Sequence, residues 1–168
     1  MKNLYPDLYV ENISYITASM LTKMGMEAVV LDIDNTLVPH NDPNPTRDVE
    51  NFLSDMRQGG IKICVVSNNC YERVKPFCDS IGITDFVCDA LKPKAYGYVK
   101  AAQIMQVEPE KTVAVGDQIF TDIWGGNRAK CFTILVKPID ISTENVFIKF
   151  KRILEKPFIK RIKRGENT

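Results

Sequence analysis

Ala28-Val29-Val30-Leu31-Asp32-Ile33-Asp34-Asn35-Thr36 carries an apolar run directly into two carboxylates. A short Val-rich run without clean alternation fits a parallel strand covered on both faces. Asp32 and Asp34 then stand at its carboxyl end. Like charges so close together are unfavourable unless a cation or a shared proton intervenes. A hard divalent ion such as Mg2+ takes oxygen ligands and leaves room for phosphate. Taken alone, the pair reads better as a turn or a helix cap, since Asp and Asn favour both.

Four further apolar runs, over 61–66, 86–88, 112–115 and 131–136, read as strands like 28–33. Helical patterns fill the intervals: 45–58 before Gly59-Gly60, 71–81 before Gly82, 94–106, and a shorter one over 121–129. This alternation predicts an α/β fold, a doubly wound parallel five-stranded sheet with helices on both faces. Ligands of such sheets sit outside the carboxyl ends of the strands, where strand order reverses. The chain reads as one domain, 1–168, with three parts: an N-terminal helical extension over 1–27 with one helix around 13–24, a core over 28–136, and a basic C-terminal helix and tail over 143–168. Pro157 is expected to break the last helix.

Each strand exit carries polar chemistry. Ser67-Asn68-Asn69 follows the second strand with neutral donors suited to a phosphate oxygen. Lys92-Pro93-Lys94 precedes the next long helix, and the proline holds Lys92 extended. Gly116-Asp117-Gln118 follows the fourth strand, with Thr121 and Asp122 close behind. Singly these fit a turn, a surface loop and a helix start. Their coincidence at four successive strand ends is what points to a site. The single histidine, His40, reads as a solvated loop residue, and Trp124 as packing.

In this order the residues resemble the haloacid dehalogenase-like (HAD) phosphatases over 28–136, with Asp32-Ile33-Asp34-Asn35-Thr36, Ser67, Lys92, and Gly116-Asp117 with Asp122 matching the four motifs. The whole chain is similar to the YqeG-type branch of the IIIA subgroup, related to phosphatidylglycerophosphate phosphatases. The resemblance implies a Rossmann-like sheet without a cap domain, and a phosphomonoester hydrolase working through an aspartyl-phosphate. It implies Asp32 as nucleophile, Asp34 as general acid and base, and Thr36 positioning Asp34. Ser67 and Lys92 would hold the phosphoryl oxygens, with Asn68 as a further substrate contact and Lys94 as a solvated neighbour. Mg2+ would be held by Asp32, the Asp34 main-chain carbonyl and Asp117, with Asp122 in support.

Composition bounds the setting. With 45% hydrophobic and 26% charged residues the chain can bury an ordinary core. Five cysteines, an odd count without a CxxC pair, argue against a zinc ribbon or disulfide framework and for a reducing cytosol. Cys64 and Cys131 lie in apolar runs and read as core. Proline and acid interrupt the N-terminus before any signal-like run, and no stretch approaches the ~20 apolar residues of a membrane span. A cytoplasmic protein, soluble or peripheral at the membrane, is expected.

Net charge is +1, yet residues 149–168 hold eight Lys/Arg against Glu155 and Glu166. That basic, Phe- and Ile-bearing tail fits either an anionic membrane surface or a helix packed on the body. The short segments between Thr36, Ser67 and Lys92 leave no room for a cap, so an open site and a lipid phosphate such as phosphatidylglycerophosphate are expected. Two other readings stay open: a nucleic-acid end or soluble-metabolite phosphatase, although the tail has no recognised nucleic-acid motif, and a regulatory scaffold retaining the fold.

Overall fold

The structure is a computed structural model that describes residues 4–40, 42 and 44–165. The ends of the expected segments, 1–3 and 166–168, lie outside the described residues.

Six parallel strands form one sheet: β1 (Leu8–Val10), β2 (Ala28–Leu31), β3 (Lys62–Val66), β4 (Phe86–Val87), β5 (Thr112–Gly116) and β6 (Phe132–Val136), in the order β1-β6-β5-β2-β3-β4. The chain moves outward from β2 through β3 to β4, then crosses back to place β5 on the other side of β2. Strand order therefore reverses beside β2, and the ends of β2 and β5 flank that point.

Alternation along β2 decides the layers. Val29 and Leu31 face one buried cluster, with Val49, Phe52, Leu53 and Met56 of α2 (Arg47–Gln58) and Val74 and Phe77 of α3 (Tyr71–Ser80). Helix α1 (Ala18–Lys23) adds Leu21 on the same side. Ala28 and Val30 face the other way, with Tyr98, Ala101 and Met105 of α4 (Tyr96–Met105). Both faces of the strand are apolar, so no alternation could show in its sequence. Cys64 and Cys131 are buried, as expected, with Cys78.

The expected five-stranded sheet is corrected to six by β1. The N-terminal extension is not purely helical: Leu8 pairs with Ile134 and Val10 with Val136. Asp7 secures this edge, its Oδ2 accepting from the Thr133 amide at 2.7 Å and its hydroxyl at 3.1 Å. The expected helix around 13–24 resolves into a 3-10 turn, Ile13–Tyr15, and α1.

The last helix is also corrected. α6 (Val146–Lys163) runs unbroken through Pro157. Pro157 and Ile153, one turn before it, are both exposed, so the carbonyl that loses its partner can be hydrated. Inward-facing Ile162 packs with Ile119, Ile123 and Leu135, flanked by Phe120, Phe158 and Ile159. Among the described residues no helix is long and apolar enough to cross a membrane.

Candidate active site

The segment after β2 folds back on itself. The Ile33 carbonyl accepts from the amides of Thr36, Leu37 and Val38 at 3.3, 2.9 and 3.2 Å, and Asn35 takes a positive φ of 63° to make the turn. Ile33, Leu37 and Val38 are wholly buried, while Asp32 and Asp34 alternate with them, partly buried, at the strand end. The Asp34 carboxylate accepts from Asn69 Nδ2 at 2.7 Å and Arg73 Nη2 at 3.2 Å, with His40 Nδ1 at 3.7 Å. Arg73 had no signal beyond its place in the first turn of α3. His40, expected in solvent, borders the site. The Thr36 hydroxyl, expected to position Asp34, donates to Asp117 Oδ1 at 3.3 Å.

Ser67 follows β3 directly, its hydroxyl accepting from the Asn69 amide at 3.1 Å. The Asn68 amide brackets the Lys92 main chain, accepting from its N–H at 2.7 Å and donating to its carbonyl at 3.2 Å. Asn68 therefore positions the lysine as well as lining the cleft. A cis peptide joins Lys92 to Pro93. The buried Lys92 ammonium bonds Asp32 Oδ1 and, at 2.7 Å, Asp122 Oδ1. Lys94 is exposed, as expected.

Beyond β5 the chain winds a π-helical turn, Ile119–Ile123, into the short helix α5 (Trp124–Arg128), where a single helix was expected over 121–129. Such wide turns recur at functional sites because they re-aim a side chain. Here the turn brings Asp122 back over Gly116, and its Oδ2 accepts from the Gln118 amide at 3.0 Å. A Cβ on Gly116 would lie 2.3 Å from the Asp122 Cβ, so only glycine allows this approach. Trp124 is 36% exposed, with the Arg128 guanidinium 5.7 Å from its ring centre.

Carboxylate oxygens of Asp32, Asp117 and Asp122 all lie within 4.8 Å of one another. Lys92 and Arg152 together cannot neutralise these three carboxylates and that of Glu144, which shares Arg152. Burial pushes the Asp32 carboxyl well up; Lys92 opposes this, while Asp122 and Asp117 add to it. Burial pulls Lys92 down, but Asp122 and Asp32 outweigh it and hold the ammonium well above its usual value. Burial likewise raises Asp117 to about 6, against the pull of Arg152. An all-oxygen, anion-rich cluster of this kind fits a hard divalent cation such as Mg2+. The Asp34 carboxylate, turned to Asn69 and Arg73, is not part of it.

Arg152 is the residue that strand-end reasoning missed. From α6 its guanidinium bonds the Asp117 carboxylate, the Asp117 carbonyl at 2.7 Å and Glu144 Oε1 at 2.6 Å. Glu144 also accepts from Asn35 Nδ2 at 2.6 Å, tying the final helix to the turn after β2. Glu155 is buried, with Oε1 accepting from the Phe120 amide at 3.0 Å and Oε2 at 3.8 Å from Arg152. Helix α6 thus forms one wall of the cleft through Asn145, Ile148 and Lys151, opposite Asp32, Ser67 and Lys92.

Burial raises the Glu155 carboxyl from 4.5 to about 7, against the Phe120 amide and Arg152. The folded state then binds the proton more tightly than the unfolded chain. Its contribution is fully present below pH 4.5 and lost as pH rises to 7, a change of roughly 3 kcal/mol. Glu155→Gln keeps an acceptor for the Phe120 amide. It is expected to flatten the fall in melting temperature between pH 5 and 8, by up to about 10 °C. An unchanged slope in thermal melts would show that Glu155 does not titrate in this window.

A family model described as haloacid dehalogenase-like hydrolase matches residues 42–130. The "Probable phosphatase YqeG" of Bacillus subtilis is 37% identical over 97% of this chain and 94% of its own length. "Phosphatidylglycerophosphate phosphatase 1, chloroplastic/mitochondrial" of Arabidopsis thaliana is 27% identical over 93% of this chain but 47% of its own length. Among solved structures, NagD from E. coli K-12 superposes with a TM-score of 0.57 at 15% identity, over 74% of this chain and 91% of that one. At that identity the likeness is one of fold.

Proposed function

The chain belongs to the haloacid dehalogenase-like hydrolases and is a phosphatase, and on that premise we propose Mg2+-dependent hydrolysis of a lipid phosphate through an aspartyl-phosphate on Asp32. The observation that carries the chemistry is Lys92, bridging Asp32 and Asp122 beside Asp117 where strand order reverses.

In this reading Asp32 attacks phosphorus in line, and the ester oxygen leaves with a proton from Asp34. Water then cleaves the aspartyl-phosphate while Asp34 takes the proton back, releasing inorganic phosphate. Asn69 and Arg73 fix the Asp34 carboxyl at the cleft mouth. Ser67 and Lys92 hold the phosphoryl oxygens, and Asn68 keeps Lys92 in place. Lys92 already touches the nucleophile, so it can follow negative charge as it moves from the carboxylate onto the phosphoryl group. Thr36 and Arg152 set the two oxygens of Asp117. Mg2+ would be held by Asp32, Asp117 and the Asp34 carbonyl, with Asp122 in support, and supplies charge neutralisation for the transferring group.

The lipid assignment draws on the printed name of the Arabidopsis relative and on the cleft wall, where apolar Ile148 and cationic Lys151 stand opposite Asp32. The catalytic core is taken as 28–136 within one domain, completed by Arg152 from outside it. A reducing cytoplasm suits the buried thiols of Cys64, Cys78 and Cys131.

A substrate panel tests this reading, with phosphatidylglycerophosphate in detergent micelles, sugar phosphates, nucleotides and 3′-phosphorylated DNA. The lipid is expected to be hydrolysed fastest, with activity falling about 100-fold or more on chelation and returning with Mg2+. A clear preference for a soluble metabolite or a nucleic-acid end would overturn the lipid assignment. Undiminished activity in chelator would overturn the metal requirement.

A further inference from the structure

We propose that the outward face of α6 docks on an anionic bilayer and holds the cleft at headgroup level; this deepens the lipid-phosphate reading and rests on it for its purpose. Helical spacing divides α6 into two faces. Arg152, Glu155 and Ile162 turn to the body, with Phe158 and Ile159 half-buried beside them. Val146, Phe147, Phe150, Ile153 and Leu154 turn away from it. Val146 is 84% exposed, Phe147 67%, and Phe150 and Ile153 56% each. Of the fourteen large hydrophobic residues exposed among the described residues, seven lie between Ile139 and Leu154. Clustered apolar exposure of this kind marks an interaction surface, whereas scattered apolar residues do not.

Charge selects the occupant. The exposed surface of α6 also carries Lys149, Lys156, Lys160 and Lys163, while its one acid, Glu155, is buried against the body. A face of phenylalanine, isoleucine and leucine on a helix whose exposed charges are all cationic complements an anionic membrane surface. A second copy of this chain would instead set like charges against one another. The apolar stripe runs along the helix, so the axis would lie in the membrane plane. The opposite side of the same turns, through Ile148 and Lys151, lines the cleft. One helix diameter, about 10 Å, then separates the docking face from the wall of the site. A phosphorylated headgroup could reach Asp32 without the lipid leaving the bilayer.

The test uses the full chain and Phe150→Ser/Ile153→Ser, two exposed positions outside the catalytic machinery. Co-sedimentation is measured with vesicles of phosphatidylcholine alone and of phosphatidylcholine with 30% phosphatidylglycerol, in parallel with light scattering. The wild type is expected to pellet with the anionic vesicles, and the variant about 10- to 100-fold more weakly. Hydrolysis of p-nitrophenyl phosphate should stay within about twofold, which shows that the site is intact. Equal pelleting of wild type and variant, no pelleting of the wild type, or equal pelleting on neutral vesicles would overturn the proposal. So would a wild-type dimer that the substitutions convert to monomer, since a second copy would then own the face. The two readings fail separately. Vesicle binding without hydrolysis of phosphatidylglycerophosphate removes the substrate and leaves the docking, and hydrolysis in micelles without vesicle binding does the reverse.

Discussion

Asp32→Asn is expected to lower phosphatase turnover by about 10^4-fold or more while the protein stays folded. The amide cannot form the acyl phosphate, and no other carboxylate takes its place: Asp117 is engaged by Thr36 and Arg152, and Asp122 by Lys92 and the Gln118 amide. The fold has little reason to suffer. Asp32 contributes a third negative charge to a buried cluster whose mutual repulsion already pushes its carboxyl upward. Removing that charge leaves Lys92 paired with Asp122. The melting temperature should therefore be unchanged or slightly higher in the absence of metal. Steady-state turnover, phosphoenzyme trapping after rapid quench, and a thermal melt check the prediction together. A variant with near-wild-type turnover would remove Asp32 as nucleophile. A variant that is inactive because it has unfolded would show it in the melt.

The second large effect falls on a residue far from the strand ends. Arg152→Ala strips the guanidinium from Asp117 and Glu144, both buried, and leaves Glu155 without its nearest cation. Breaking a buried pair by removing one partner costs about 3–5 kcal/mol, because the remaining charge stays desolvated and uncompensated. At about 2–4 °C per kcal/mol for a chain of this size, the melting temperature should fall by roughly 6–20 °C. Added Mg2+ should recover part of that loss, since a divalent cation can compensate Asp117 in place of the arginine. Arg152→Lys should rescue little. A lysine cannot present the planar fork that meets the Asp117 carboxylate, its carbonyl and Glu144 at once. Melting curves with and without Mg2+ check this. A loss below about 1 kcal/mol would mean that the arginine is an ornament of the packing and not its clamp.

The difference between these two residues shows what the sequence could carry. Asp32, Ser67 and Asp117 each follow a strand directly, Lys92 stands five residues beyond β4 and before its proline, and such strand exits can be read from a handful of neighbours. Their grouping also follows from the doubly wound order, which brings the exits of β2, β3 and β5 side by side. Arg152 offers no such local signal. It sits in a helix whose Lys/Arg content resembles a solvated or membrane-facing surface, and its partners lie 35 residues away at Asp117 and 8 away at Glu144. Only the docking of α6 makes it different from Lys151 or Lys156. Thr36 is a milder case. Its motif position was legible, but its contact depended on the turn made by Asn35 and on how close β5 runs. β1 escaped notice because three residues give no periodicity to read, and its polar anchor is Asp7 on Thr133, 126 residues away. Pro157 misled in the other direction: proline breaks a helix where its neighbours are buried, and here the affected side faces water.

The pairing of β1 with β6 also imposes an order of events on a newly made chain. Leu8–Val10 is synthesised before the rest of the sheet, yet among the described residues its only strand partner ends at Val136. At about 5–20 residues per second, that partner is roughly 6–25 s behind. Throughout that interval the N-terminal segment has an unpaired backbone edge, while β2, β3 and β4 can already assemble with α2 and α3. Its brevity limits the hazard, since three residues offer a poor template for a wrong neighbour. The same delay applies at the other end of the fold, where Asp117 waits for Arg152. The nascent chain therefore has the proposed nucleophile, Asp32, in place long before the clamp that completes the acid cluster, and catalytic competence would arrive last.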